Sequence, residues 1–128
     1  MRVLLDTHAF LWWIADSGRL SVAARQVIAD EANDIAVSAA SAWEIATKYR
    51  IGKLPGAEPV ALDVARAISA QGFGHLPISV VDAERAGRLP GPHRDPFDRM
   101  LAAQALARDL AVVSADAALD AYGIRRIW

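Results

Sequence analysis

A chain of 128 residues, 54% hydrophobic and 23% charged, is the size of one domain and apolar enough to bury a core. Its formal net charge of −1 excludes a globally polycationic nucleic-acid binder. The absence of cysteine excludes disulfides, thiolate zinc sites and a cysteine nucleophile together. Any metal must therefore be held by oxygen or imidazole. There are three histidines, His8, His75 and His93, and no two stand at metal-ligand spacing. Carboxylate oxygen remains, and it suits Mg²⁺ or Mn²⁺. No apolar run approaches the ~18 residues of a membrane-spanning helix. Asp6 and His8 interrupt the apolar stretch after Arg2, which reads as mature structure rather than a leader. A cytoplasmic protein is expected.

In chain order, Val3-Leu4-Leu5 predicts a short buried strand ended by Asp6, with Thr7 capping a helix over about residues 8–15. Ser21 caps a second helix, to about Ala32, and Ile35-Ala36-Val37 predicts a second strand. Ser41-Ala42-Trp43-Glu44 has the form of a capping box and opens a helix to about Tyr49. Val60 to Gln71 reads as one helix, Leu76-Pro77-Ile78 as an extended piece and Val80 to Arg88 as a further helix. Asp95-Pro96-Phe97-Asp98 is the clearest helix start. Asp95 is the N-cap, Pro96 the first helical residue and Asp98 lies in the first turn, with the helix running to about Asp109. Ala111-Val112-Val113 predicts a strand, Asp116 to about Tyr122 a short helix and Ile124 to Ile127 a last strand. Short buried strands alternating with helices predict an α/β sandwich around a parallel sheet.

Ligands of open α/β sheets bind beyond the carboxyl ends of the strands. Asp6 ends the first predicted strand, and Glu44 lies about one turn into the helix after the second. Asp98 opens the long helix, and Asp116 follows Ala111–Val113. These four acids can converge on one rim. Such a cluster repels itself at neutral pH unless a hard divalent cation neutralises it. The chemistry that this serves best is phosphoryl transfer: a cation there acidifies and orients water and stabilises charge on phosphate and leaving oxygen. One ion or two remain open. Each acid also has a plain structural use, as a turn, cap or ion-pair residue, and Glu44 has Lys48 four residues on. It is their joint placement that carries the chemistry. A binding module without turnover is a second reading. A phosphatase or receiver-like domain is a third, disfavoured because Asp6 stands without an adjacent acid.

Twelve of the fourteen basic residues are arginine, and Arg94 and Arg99 flank Asp98 as candidate contacts to a substrate backbone. Trp12 and Trp13, with Phe10, Leu11 and Ile14, make the first helix apolar nearly all round. That predicts burial on two sides, a homodimer contact or a groove for a partner peptide.

Val-Leu-Leu-Asp6-Thr-His, Ser-Ala-Trp-Glu44-Ile-Ala, Arg-Asp95-Pro-Phe-Asp98-Arg-Met-Leu-Ala-Ala-Gln-Ala and Val-Val-Ser-Ala-Asp116 occur in that order. Together they resemble a PIN domain of the VapC toxin type, and the third motif is the most specific. The resemblance spans Val3 to Asp116. It implies a single PIN domain over residues 1–128, with a Rossmann-like α/β/α sandwich and a mostly parallel sheet. It also implies a Mg²⁺- or Mn²⁺-dependent endoribonuclease, the toxin of a type II toxin–antitoxin module, present as a homodimer held by a VapB-type antitoxin. Asp6, Glu44 and Asp98 match the family's core acids and Asp116 its more variable fourth. Asp95 matches an acid of less settled role, and Thr7 and Ser114 match hydroxyl positions near the site. His93 becomes a candidate RNA contact rather than a metal ligand. The alternative is a catalytically silent module that binds RNA or antitoxin.

Overall fold

Strand β1 (Arg2–Leu5) is buried at Val3, Leu4 and Leu5, because parallel partners flank it on both edges and helices cover both faces. The computed structural model describes every residue, Met1–Trp128. After β1 come helices α1 (Thr7–Ile14) and α2 (Val22–Ala29), strand β2 (Asp34–Ser38) and helix α3 (Ala39–Arg50). Helices α4 (Glu58–Ala61) and α5 (Val64–Ala70) lead to strand β3 (Gly74–Leu76) and helix α6 (Val80–Arg88). Helix α7 (Pro96–Arg108), strand β4 (Ala111–Val113), a 3₁₀ helix (Ala117–Tyr122) and strand β5 (Arg125–Ile127) complete the chain.

The sheet order is β3-β2-β1-β4-β5 and every pairing is parallel. The chain builds outward from β1 through β2 to β3, then returns to the other side of β1 with β4 and β5. The order therefore reverses between β1 and β4, where an open sheet forms its crevice. Asp6 follows β1 and Ser114-Ala115-Asp116 follows β4, so both segments enter that crevice.

Side-chain alternation along the strands divides the interior in two. Val3, Leu5, Val37 and Val113 pack with Phe10, Ile28, Ile45 and Ile68 on one face. Leu4 and Val112 pack with Ala40, Leu101, Ala105 and Leu119 on the other. The α3 helix contributes to both layers, through Ile45 and Ala40.

Three local expectations are corrected. Helix α1 is capped by Asp6 rather than Thr7, because Asp6 accepts the Ala9 N–H and leaves Thr7 inside the first turn. Ser38, the last residue of β2, caps α3 by accepting from Ala40 N at 3.0 Å. The helix thus begins earlier than the Ser41 box implied, and Ser41 is buried within it. The single helix expected over Val60–Gln71 is two, because the Asp63 side chain accepts from Arg66 N at 3.0 Å and starts a new N-terminus.

Candidate metal and nuclease site

Asp6 is carried to the crevice by the central strand β1 and is itself only 9% exposed. One carboxylate oxygen accepts the Ala9 N–H at 2.7 Å, which completes the N-cap of α1 and favours negative charge there. Burial nevertheless pushes the Asp6 carboxyl above its ordinary value. The Ser114 hydroxyl, the Ala9 N–H and His8 oppose the shift, and the charge of Asp98 adds to it.

Asp98 sits in the first turn of α7, whose start is held by Asp95: Asp95 Oδ1 accepts from Phe97 N at 2.9 Å and Asp98 N at 3.2 Å. Burial is also the largest influence raising the Asp98 carboxyl, with the charges of Asp95 and Asp116 adding and a hydrogen bond from His93 opposing. Asp116 caps the 3₁₀ helix by accepting from Ala118 N at 3.0 Å, and its own N–H is held by Ser114 Oγ at 3.0 Å. Asp6, Asp98 and Asp116 thus form an electrostatically coupled row along the crevice.

Glu44 enters from α3 and is 5% exposed. Thr7 Oγ1 donates to Glu44 Oε1 at 2.5 Å, and the Lys48 ammonium pairs with Oε2. Burial acts to lower the Lys48 pKa, but the Glu44 bond and charge, with the charges of Asp95 and Asp98, outweigh it. Lys48 is therefore a fixed cation between Glu44 and the acids of α7.

The tightest set of ligand atoms contains a residue read from the sequence only as an RNA contact. His93, Asp98 and Asp116 each offer one ligand atom, and these lie within 4.8 Å of one another. His93 Nε2 is 2.9 Å from Asp98 Oδ2. Asp6 and Glu44 stand outside that set, although Asp6 feels the charge of Asp98. The sequence signal for His93 is faint: a histidine five residues before an acid, across a Pro-Gly-Pro loop.

Arg99 has a different task from the one expected. Its guanidinium donates to the carbonyls of Ala86, at 3.0 Å, and His93, at 2.9 Å, and also to that of Leu89. It closes the C-terminus of α6 onto the Pro-rich loop, whereas Arg94 is exposed. Trp12 and Trp13 are half-buried, Trp12 against Trp128 and Trp13 against Phe73, with Trp13 Nε1 donating to Gln71. The exposed tryptophan is Trp43, at 61%. It meets Phe97 edge-on at 4.9 Å over an apolar groove of about 220 Å³ lined also by Ile78, Pro96 and Met100. Trp43 and Phe97 immediately precede Glu44 and Asp98, so this groove adjoins the acids.

The donor set suits a hard divalent cation. Carboxylate oxygens dominate, thiolate is absent, and mutual repulsion with burial destabilises the charged acids until a cation neutralises them.

Residues 3–124 match the family described as PIN domain. The chain is 32% identical over 122 residues to Ribonuclease VapC22 of Mycobacterium tuberculosis, covering 94% of this chain and 91% of that protein. It is 47% identical over 64 residues to Ribonuclease VapC16 of the same organism, covering 50% of this chain and 44% of that protein. The latter match therefore spans less than half of that relative. In three dimensions it resembles VapBC2 from Rickettsia felis, solved bound to a DNA fragment from their promoter. That likeness has TM-score 0.68 at 16% identity and covers 98% of this chain and 97% of the other.

Proposed function

This chain belongs to the PIN-domain family, of the VapC type, and from that premise we propose that it is a divalent-metal-dependent endoribonuclease. It is read as the toxin of a type II toxin–antitoxin pair, a single PIN domain over residues 1–128. The observation that carries this reading is the row of Asp6, Asp98 and Asp116 in the crevice between β1 and β4, with Glu44 and Lys48 beside it.

Asp6, Glu44, Asp98 and Asp116 are the acids that would hold Mg²⁺ or Mn²⁺. The ion supplies Lewis-acid polarisation of the phosphodiester and lowers the pKa of water. The protein's own groups do the rest. Thr7 and Lys48 hold both oxygens of Glu44, so this carboxylate is oriented before substrate arrives. In that orientation Glu44 would serve the cation or accept a proton from its water. Lys48 feels the charges of Asp95 and Asp98 and can attract a non-bridging phosphate oxygen. The exposed Arg94 offers a contact to the flanking backbone.

No helix is long and apolar enough to cross a membrane, and the reading is of a cytoplasmic enzyme acting on cellular RNA. The name VapBC2 of the structural relative belongs to an assembly of two components. For this chain we propose the corresponding VapB-type antitoxin and a homodimer, with the Trp43–Phe97 groove as the apolar surface that they can cover.

The test is cleavage of a mixed RNA pool, including structured tRNA, by antitoxin-free protein with Mg²⁺ or Mn²⁺, with EDTA, and as Asp98→Asn. Cleavage lost in both controls supports the nuclease. Cleavage that survives in a clean Asp98→Asn preparation overturns the mechanism. Folded, metal-loaded protein that binds RNA or antitoxin without cutting would instead be the silent module.

A further inference from the structure

We propose that His93 is a nitrogen ligand of the divalent cation, and that it biases the site toward Mn²⁺ over Mg²⁺. The inference rests on the metal-nuclease reading above and adds a residue outside the four acids.

The geometry is already that of a ligand edge. At a metal–ligand distance of about 2.1 Å, neighbouring ligands of an octahedral ion stand about 3.0 Å apart. His93 Nε2 and Asp98 Oδ2 are 2.9 Å apart, and Asp116 offers an oxygen within 4.8 Å of both. A cation can replace the proton shared along that edge without moving either side chain far. Nε2 then binds through its lone pair and the ring proton resides on Nδ1.

The histidine is also aimed rather than loose. Arg99 Nη1 donates to the His93 carbonyl at 2.9 Å, while the rest of the guanidinium is spread over the α6 C-terminus. The Tyr122 ring stands edge-on to the imidazole with centroids 6.0 Å apart. The imidazole is 27% exposed and the Asp98 side chain 22%, so both are shielded yet reachable by an ion. A surface histidine making a casual contact would have neither the backbone clamp nor the aromatic wall.

The consequence is selectivity. Mg²⁺ takes oxygen ligands and keeps most of its water, whereas imidazole is an ordinary ligand for first-row transition ions. An all-carboxylate rim would discriminate little between Mg²⁺ and Mn²⁺. A nitrogen at its edge favours Mn²⁺.

The experiment is Mn²⁺ titration of the full chain, followed by electron paramagnetic resonance, with Mg²⁺ as competitor, for wild type and His93→Ala. Pulsed resonance on the Mn²⁺ complex reads ¹⁴N coupling directly. Wild type is expected to show imidazole ¹⁴N coupling that His93→Ala lacks. The variant should lose about 10-fold or more in Mn²⁺ affinity while its Mg²⁺ affinity moves less, a loss of the size seen when metal-site partners are removed. Circular dichroism confirms that the variant is folded, and the wild-type coupling stands independently of it. Mn²⁺ bound by wild type without nitrogen coupling, or coupling that survives in His93→Ala, overturns the inference and leaves the carboxylate nuclease standing. Folded wild type that binds no Mn²⁺ overturns both.

Discussion

Ser38 Oγ donates to Gln104 Oε1 at 2.6 Å, which fastens the N-cap of the helix carrying Glu44 to the helix carrying Asp98. Both residues are fully buried. The Gln104 amide nitrogen donates in turn to Pro77 O at 3.0 Å, just beyond β3. One side chain thereby ties the end of β2, the exit from β3 and the middle of α7. Gln104→Met keeps the volume but leaves the Pro77 carbonyl and the Ser38 hydroxyl without this partner. The expected cost is about 1–3 kcal/mol in urea unfolding. Cleavage should fall as well, because α3 and α7 lose a fixed relation.

Asp82 and Arg108 form the second tie between helices. Arg108 Nη1 and Nη2 donate to the two carboxylate oxygens, each at 3.0 Å, and Asp82 also closes a capping box with Ser79. Arg108 is the main influence holding the Asp82 carboxyl far below its ordinary 3.8. A depressed folded value means that its stabilisation is present above the unfolded pKa and is lost as pH falls below it, toward the folded one. Wild type should lose stability with acid across that range, and Asp82→Asn should lack this component. At neutral pH the variant should be weaker by about 3 kcal/mol, the lower end for a broken buried pair because Arg108 is partly exposed. Chemical denaturation at several pH values reads both effects.

Asp98→Asn should separate activity from stability. Asn Oδ1 can still accept from His93 Nε2, so the local geometry has a way to persist. Cleavage should fall by at least about 100-fold, since metal ligation is worth several kcal/mol in the transition state. The raised Asp98 pKa has the opposite sign to that of Asp82. Stability falls as pH rises from 3.8 through the folded value, and at neutral pH the full cost of the charge is present. In EDTA the variant should therefore melt a few degrees above wild type, whereas adding Mn²⁺ should raise the melting temperature of wild type alone. Differential scanning calorimetry with and without the ion checks both halves.

Thr7→Val should damage the site while leaving the core intact. Valine fills the buried position but cannot donate to Glu44, and a hydrogen bond to a charged group is worth about 1.5–3 kcal/mol. Cleavage should drop about 10-fold or more on that basis. Thr7→Ser, which restores the hydroxyl, should recover most of it.

The helix start at Asp95-Pro96-Phe97-Asp98 was legible because capping and proline geometry are local, and the structure keeps each assignment. The ends of β1 and β4 were legible for a similar reason: a short apolar run stops where an acid or a hydroxyl begins. Ser41 shows where such reasoning fails. Its capping-box spacing is genuine, but Ser38 lies three residues earlier at the strand's end and captures the cap first, leaving Glu44 free to meet Thr7 and Lys48.

By itself, the sequence determined the alternation of strands and helices and the placement of acids near strand ends, since hydrophobic period and capping act over a few residues. Only the tertiary structure decided that Glu44 is held by Thr7, 37 positions away, that His93 rather than Asp6 stands against Asp98, and that Arg99 serves the backbone. Those relations depend on strand order and on how helices seat on the sheet. They are set by the packing of the whole core rather than by any window of the chain.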